Sequence, residues 1–166
     1  MSRFRLGSIL AVAAGILIIS GGCAESPSAP APAGAGLELL RMPQGPSFDR
    51  GGSESRSQVI GPQGGVIELA AGRLVFPAGA VSEPTEIGMR VDGEYQGVHL
   101  SPHGLQFPAG AQPVLELRAV GAGAERAGLT VVYVDDARQI LEVLPTDSQG
   151  SRLTTSLEHF SGYIIA

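Results

Sequence analysis

Thr85-Glu86-Ile87-Gly88-Met89-Arg90-Val91 alternates residue by residue between polar or small and apolar side chains. In an extended chain successive side chains point to opposite faces, so Ile87, Met89 and Val91 share one face, the pattern of a half-buried strand. Val114-Leu115-Glu116-Leu117-Arg118 alternates in the same way. Outward from these two, short apolar runs separated by Gly, Pro and Asp turns cover residues 65–69, 73–76, 97–100, 129–134, 140–144, 152–157 and 160–165. Each reads as a strand, and none keeps a helical period over three turns. About nine short strands in about 110 residues predict an all-β fold: an antiparallel two-sheet β-sandwich, or a strongly bent barrel, rather than an α/β layout.

One heptapeptide occurs twice. Leu74-Val75-Phe76-Pro77-Ala78-Gly79-Ala80 returns as Leu105-Gln106-Phe107-Pro108-Ala109-Gly110-Ala111. In each copy a Leu and a Phe at period two can enter the core, Pro ends ladder pairing, and Gly permits the turn that redirects the chain. Neither copy has a polar group suited to specific ligand contact.

The N-terminus reads as an address. Arg3 and Arg5 precede an uncharged apolar stretch from Leu6 to Ile19, followed by Ser20-Gly21-Gly22 and then Cys23. This is the layout of a secretory signal, and the stretch falls short of the roughly 20 residues a spanning helix needs. Ile19-Ser20-Gly21-Gly22-Cys23 resembles a bacterial lipobox, with Ser20 where Leu is commonest. The resemblance implies a signal peptide over 1–22 and an acylated Cys23, the chain's single cysteine. At ~0.8 kcal/mol per buried CH₂, two or more acyl tails anchor stably without a spanning helix. Ala24 follows where a retention signal would have Asp, which implies the outer membrane or cell surface rather than the inner membrane. Residues 23–57 are rich in Pro, Ala, Gly and Ser and read as a disordered tether, about 30 residues reaching ~30 Å as a coil. Within it, Leu37 to Met42 is an apolar patch read as loosely held, with an added edge strand or a docking segment as the alternatives. Residues 58–166 are the expected folded domain.

Composition narrows the partners. All eleven basic residues are Arg, and loss of Arg3 and Arg5 with the signal peptide takes the formal charge from −5 to −7. The remaining arginines are scattered singly from Arg41 to Arg152, without the clustered basic stripe that nucleic-acid binding uses. With 24 Gly, 12 Pro and no Trp, the chain is turn-rich with a modest core.

Several of these segments together resemble the ZU-five domain, a module shared by ankyrins, netrin receptors, tight-junction scaffolds and many bacterial surface proteins. The likeness runs from Ile60 to about Tyr163. Its carriers are Gly64-Gly65-Val66, Leu74 to Val81, Thr85-Glu86-Ile87, the segment from Leu100-Ser101-Pro102 to Phe107-Pro108, and His159-Phe160-Ser161-Gly162-Tyr163. The resemblance implies a β-sandwich acting as an interaction or mechanical module, with no cofactor and no metal. It also brings one chemistry into view. In some relatives of that family a Phe-Ser bond in a like motif cleaves itself: the serine hydroxyl attacks the preceding carbonyl, a nearby His assists, and water hydrolyses the ester. Here that would place His159, Phe160 and Ser161 at a cut between Phe160 and Ser161.

Other candidates are weaker. His99 and His103 stand four apart, but on an extended chain broken by Pro102 they do not converge as on a helix. Asp135-Asp136 reads as a turn; with Asp92 and Glu94 it offers oxygen atoms, but not the acidic alternation of a calcium loop. Tyr95 and Tyr133 would make a sugar platform only as neighbours on one face. The expectation is a non-enzymatic, lipid-anchored module of the cell envelope that presents a structural or protein-interaction surface to an envelope protein. Self-processing at Phe160-Ser161, and carbohydrate or peptide binding, are the alternatives.

Overall fold

The computed structural model describes residues 34, 36–44 and 54–166; the expected signal peptide, Cys23 and most of the expected tether lie outside the described residues. Among the described residues eleven strands follow one another: β1 (Ser55–Ile60), β2 (Gly65–Leu69), β3 (Gly72–Phe76), β4 (Thr85–Val91), β5 (Gly97–Ser101), β6 (Val114–Arg118), β7 (Val131–Val134), β8 (Ile140–Val143), β9 (Asp147–Gln149), β10 (Arg152–Ser156) and β11 (Gly162–Ile165). A single 3-10 turn, Gly121–Glu125, lies between β6 and β7. Among the described residues no helix is long and apolar enough to cross a membrane.

The strands form two sheets, in the orders β1-β4-β5-β11-β7-β8 and β2-β3-β6-β10-β9. Every pairing is antiparallel. The alternating runs set the inner faces. Ile87, Met89 and Val91 on β4 and Leu115 and Leu117 on β6 are buried together with Leu74, Leu100, Leu153 and Tyr163 in one core between the sheets. Full burial of one such side chain is worth about 1.5–3 kcal/mol.

The repeated heptapeptide does the same job twice. Phe76 and Phe107 meet edge to face at 6.1 Å between ring centroids, and Phe160 packs on both, at 6.0 and 4.9 Å. After each Phe the chain reverses through equivalent turns, Ala80 N–H donating to the Pro77 carbonyl and Ala111 N–H to the Pro108 carbonyl. Gly79 and Gly110 hold φ of 83° and 86°, the left-handed region that a side chain disfavours. Open space surrounds both glycines, so the constraint is conformational rather than steric.

All nine expected strands are present; β1 and β9 are additional. Both are edge strands. In β1 only Ile60 is buried, and β9 is exposed throughout, so backbone pairing rather than side-chain burial defines them. β1 pairs with β4 from Ser55↔Arg90 to Ile60↔Thr85, and therefore begins inside the stretch read as tether. The Leu37 to Met42 patch also differs from a loosely held segment. Leu40 is 5% exposed, its N–H donates to the Ile165 carbonyl, and its carbonyl accepts from Gln96 N–H. Leu39 covers Val132, Val134 and Ile164 on the outer face of the larger sheet, which gives this patch an apolar seat that a local reading cannot supply.

Phe160→Ala is expected to lower unfolding free energy by about 3–5 kcal/mol through the cavity it leaves in the aromatic cluster. Gly79→Ala should cost only about 1–2 kcal/mol, the cost of a left-handed alanine. Urea titrations of the two variants check both.

Candidate functional site

The β4–β5 connection begins with Asp92, just after Val91 ends β4, and alternation along β4 turns Asp92 to the outer face of the larger sheet. Its side chain is 0% exposed. A buried carboxylate must be paired and hydrogen-bonded, and all its capacity is used. Oδ1 accepts the backbone N–H groups of Glu94 and Tyr95, both at 2.8 Å, which shapes the turn. Oδ2 accepts His99 Nε2 at 2.7 Å and faces Arg138 Nη2 at 2.5 Å. Burial alone would push this carboxyl up; the His99 bond, the two amides and the Arg138 charge outweigh it and hold Asp92 well below the usual carboxylate range.

Arg138 arrives from the β7–β8 turn. Arg138 N–H donates to the Asp135 carbonyl, and Gln139 N–H to Asp135 Oδ1 at 2.8 Å, so Asp135 makes the turn expected of it. Arg138 itself sits at φ 63° without being glycine, a backbone cost of about 1–3 kcal/mol that the pairing with Asp92 offsets. The guanidinium also lies 6.0 Å from the Tyr95 ring, and Arg41 stacks on that ring at 5.0 Å while pairing with Glu94. Asp92, His99 and Arg138 thus lock the β4–β5 turn to the β7–β8 turn.

Gln96 makes the second lock. It is 4% exposed, and its Nε2 donates to the Arg41 and Val120 carbonyls at 2.9 and 3.1 Å while Oε1 accepts Val120 N–H at 2.7 Å. Its own carbonyl accepts Ile165 N–H. The Gln96 side chain therefore joins the 37–42 segment to the start of the 3-10 turn, and its main-chain carbonyl adds β11. Nothing in the sequence marked Gln96; an uncharged polar residue between glycines reads as loop until its partners are known.

The expected candidates fall apart spatially. His99 is committed to Asp92, whereas His103 is exposed on the loop after β5. Asp92 is bound by an imidazole and a guanidinium, which repels a metal ion, so it does not join Glu94 and Asp135-Asp136 as an oxygen ligand set. Among the described residues no three His, Cys, Asp or Glu side chains converge as metal ligands. Tyr133 faces inward beside Tyr163, while Tyr95 belongs to the outer-face cluster, so the two rings do not form one platform.

The His159-Phe160-Ser161 segment leads into β11. Phe160 is in the aromatic core, its N–H donates to the Leu105 carbonyl, and its carbonyl accepts Gly104 N–H at 3.3 Å. His159 is a partner of Tyr163, whose hydroxyl donates to the His159 carbonyl and lies 3.4 Å from Nδ1. Burial, with Tyr133 and Glu142 nearby, raises the Tyr163 phenol, which stays a donor. His159 Nε2 is 4.0 Å from Glu142. Among the described residues no hydrogen bond joins the His159 imidazole to the buried Ser161 hydroxyl. Residues 162–165, on the far side of the bond in question, are paired on both flanks by β5 and β7.

Asp92→Asn is expected to destabilise the domain by about 3 kcal/mol at neutral pH, because Arg138 loses its counter-charge. The folded-state pKa of Asp92 lies below the unfolded value. Its contribution is therefore complete above about pH 4 and fades as pH falls further. The variant should lose that part of the acid dependence, measurable by thermal melts between pH 7 and pH 2.

No protein-family model matches this chain, and no curated protein matches it.

Proposed function

We propose that this protein is a lipid-anchored module of the cell envelope, held through Cys23 outside the cytoplasm, whose β-sandwich serves as a structural or protein-interaction unit. The observation that carries the reading is the seating of the Leu37 to Met42 patch, inside the expected tether. Leu40 bonds to Ile165 and Gln96, Met42 N–H donates to the Glu94 carbonyl, and Gln96 holds the Arg41 carbonyl. A pull on the tether would thus reach β11, which has strand neighbours on both sides, rather than peel an edge strand. A domain that works at the end of a tether benefits from such an attachment.

The two polar locks serve the same end. They fix the β4–β5 and β7–β8 turns through buried polar groups whose partners are all supplied, which favours a rigid presenting surface. The described clusters offer no nucleophile hydrogen-bonded to an oriented base, the arrangement that covalent catalysis uses; binding is the function this geometry supports best.

The test is intact mass and fractionation of the protein from membranes beside Cys23→Ser. The expected product begins at an acylated Cys23, ends at Ala166 and leaves the membrane fraction in the variant. A soluble chain with an unmodified Cys23 would overturn the anchoring; loss of residues 161–166 that Ser161→Ala abolishes would replace the reading with self-processing. For the seating of the tether, Gln96→Ala should cost about 2–3 kcal/mol, since several buried polar groups lose partners at once. It should also raise hydrogen exchange at Leu40 and Met42 before the rest of the sandwich.

A further inference from the structure

The outer face of the smaller sheet carries a feature that the tethered-module reading does not use. Leu115, Leu117 and Leu153 point inward, so the intervening Glu116, Arg118 and Arg152 point out. Register then sets Arg152 directly opposite Arg118, with Gln149 next in the same row. Like charges placed opposite each other across a strand pair repel, and such a pair is destabilising unless a counter-charge lies between.

Glu116, the carboxylate on the same face, is held chiefly by Arg73, and Arg152 and Arg118 draw on it only at longer range. Glu116 is bound by Arg73 at 2.5 Å, while Arg152 Nε stands off at 3.9 Å. Asp147 takes a hydrogen bond from the Gln149 amide at 3.0 Å. Among the described residues Arg118 has no ion-pair partner. Arg118 and Arg152 line one groove together with Arg73, Glu68 and Glu116 and, with Gln149 and Ser151, a second open groove of about 440 Å³ whose lining holds no carboxylate. On a chain of net charge −5 this is a local reversal of sign.

We propose that this groove is an oxyanion site for a phosphate group, free or at the headgroup of an anionic lipid. Two guanidiniums supply planar, charge-assisted donors that match phosphate oxygens. Gln149 and Ser151 add neutral donors at the end of the row, and a bound dianion removes the Arg118–Arg152 repulsion. The proposal stands independently of Cys23.

Thermal melts of the full chain in inorganic phosphate, against chloride at equal ionic strength, read the site directly. The melting temperature is expected to rise in phosphate beyond the chloride control. In phosphate-free buffer Arg118→Gln should melt close to the native protein, because relief of the repulsion is set against loss of the longer-range attraction to Glu116. The variant should also lose the phosphate response, with at least a tenfold fall in phosphate affinity. Co-sedimentation with phosphatidylglycerol and phosphatidylcholine vesicles separates the sources. A preference for phosphatidylglycerol that Arg118→Gln abolishes assigns the site to a headgroup; a phosphate response with no vesicle preference assigns it to free phosphate. No response in either assay, or a response that Arg118→Gln retains, overturns the proposal.

Discussion

Phe76, Phe107 and Phe160 come from three separate parts of the chain and meet in a triangle of edge-to-face contacts. Aromatics are only 5% of the residues and Trp is absent, so this cluster supplies much of the large, shape-specific apolar surface available to the core. Its position constrains the rest. Phe76 ends β3, Phe107 lies on the connection between β5 and β6, and Phe160 stands two residues before β11. Bringing the three together fixes where the chain leaves one sheet, where it crosses, and where its last strand enters the other.

A core with few aromatics leaves the loops to be held by other means, and polar side chains hold them. Asp92 binds two turns at once, and Gln96 joins a strand, a 3-10 turn and a segment that precedes the sandwich in sequence. Buried polar groups of this kind contribute modestly when satisfied and cost heavily when broken. They therefore select one arrangement of the loops over its neighbours more than they add to stability. That selection suits the tethered module proposed above, whose surfaces must stay in place.

Much of the fold was legible because alternation reports burial. Ile87, Met89 and Val91, or Leu115 and Leu117, announce a buried face wherever they are read, and the two Phe-Pro-Ala-Gly turns carry their own conformational signal. β1 and β9 escaped for the converse reason. Their side chains are almost all exposed, and what makes them strands is backbone hydrogen bonding to β4 and β10, which leaves no trace in hydrophobicity. Candidate sites fared differently. Asp135 makes the turn its composition suggests, but Asp92, read only as a spare oxygen ligand, is the buried centre of a charge cluster, and Gln96 gave no sign at all.

By itself the sequence determined the class of fold, the inward-facing residues and the turn chemistry, because each depends on local period or local composition. Tertiary structure alone decided the rest. It seated Leu40 against Ile165, made Arg138 the partner of Asp92 across the sheet, and set Arg118 opposite Arg152. These are contacts between residues far apart in the chain, and their energies depend on burial and register, which exist only once the sheets have formed.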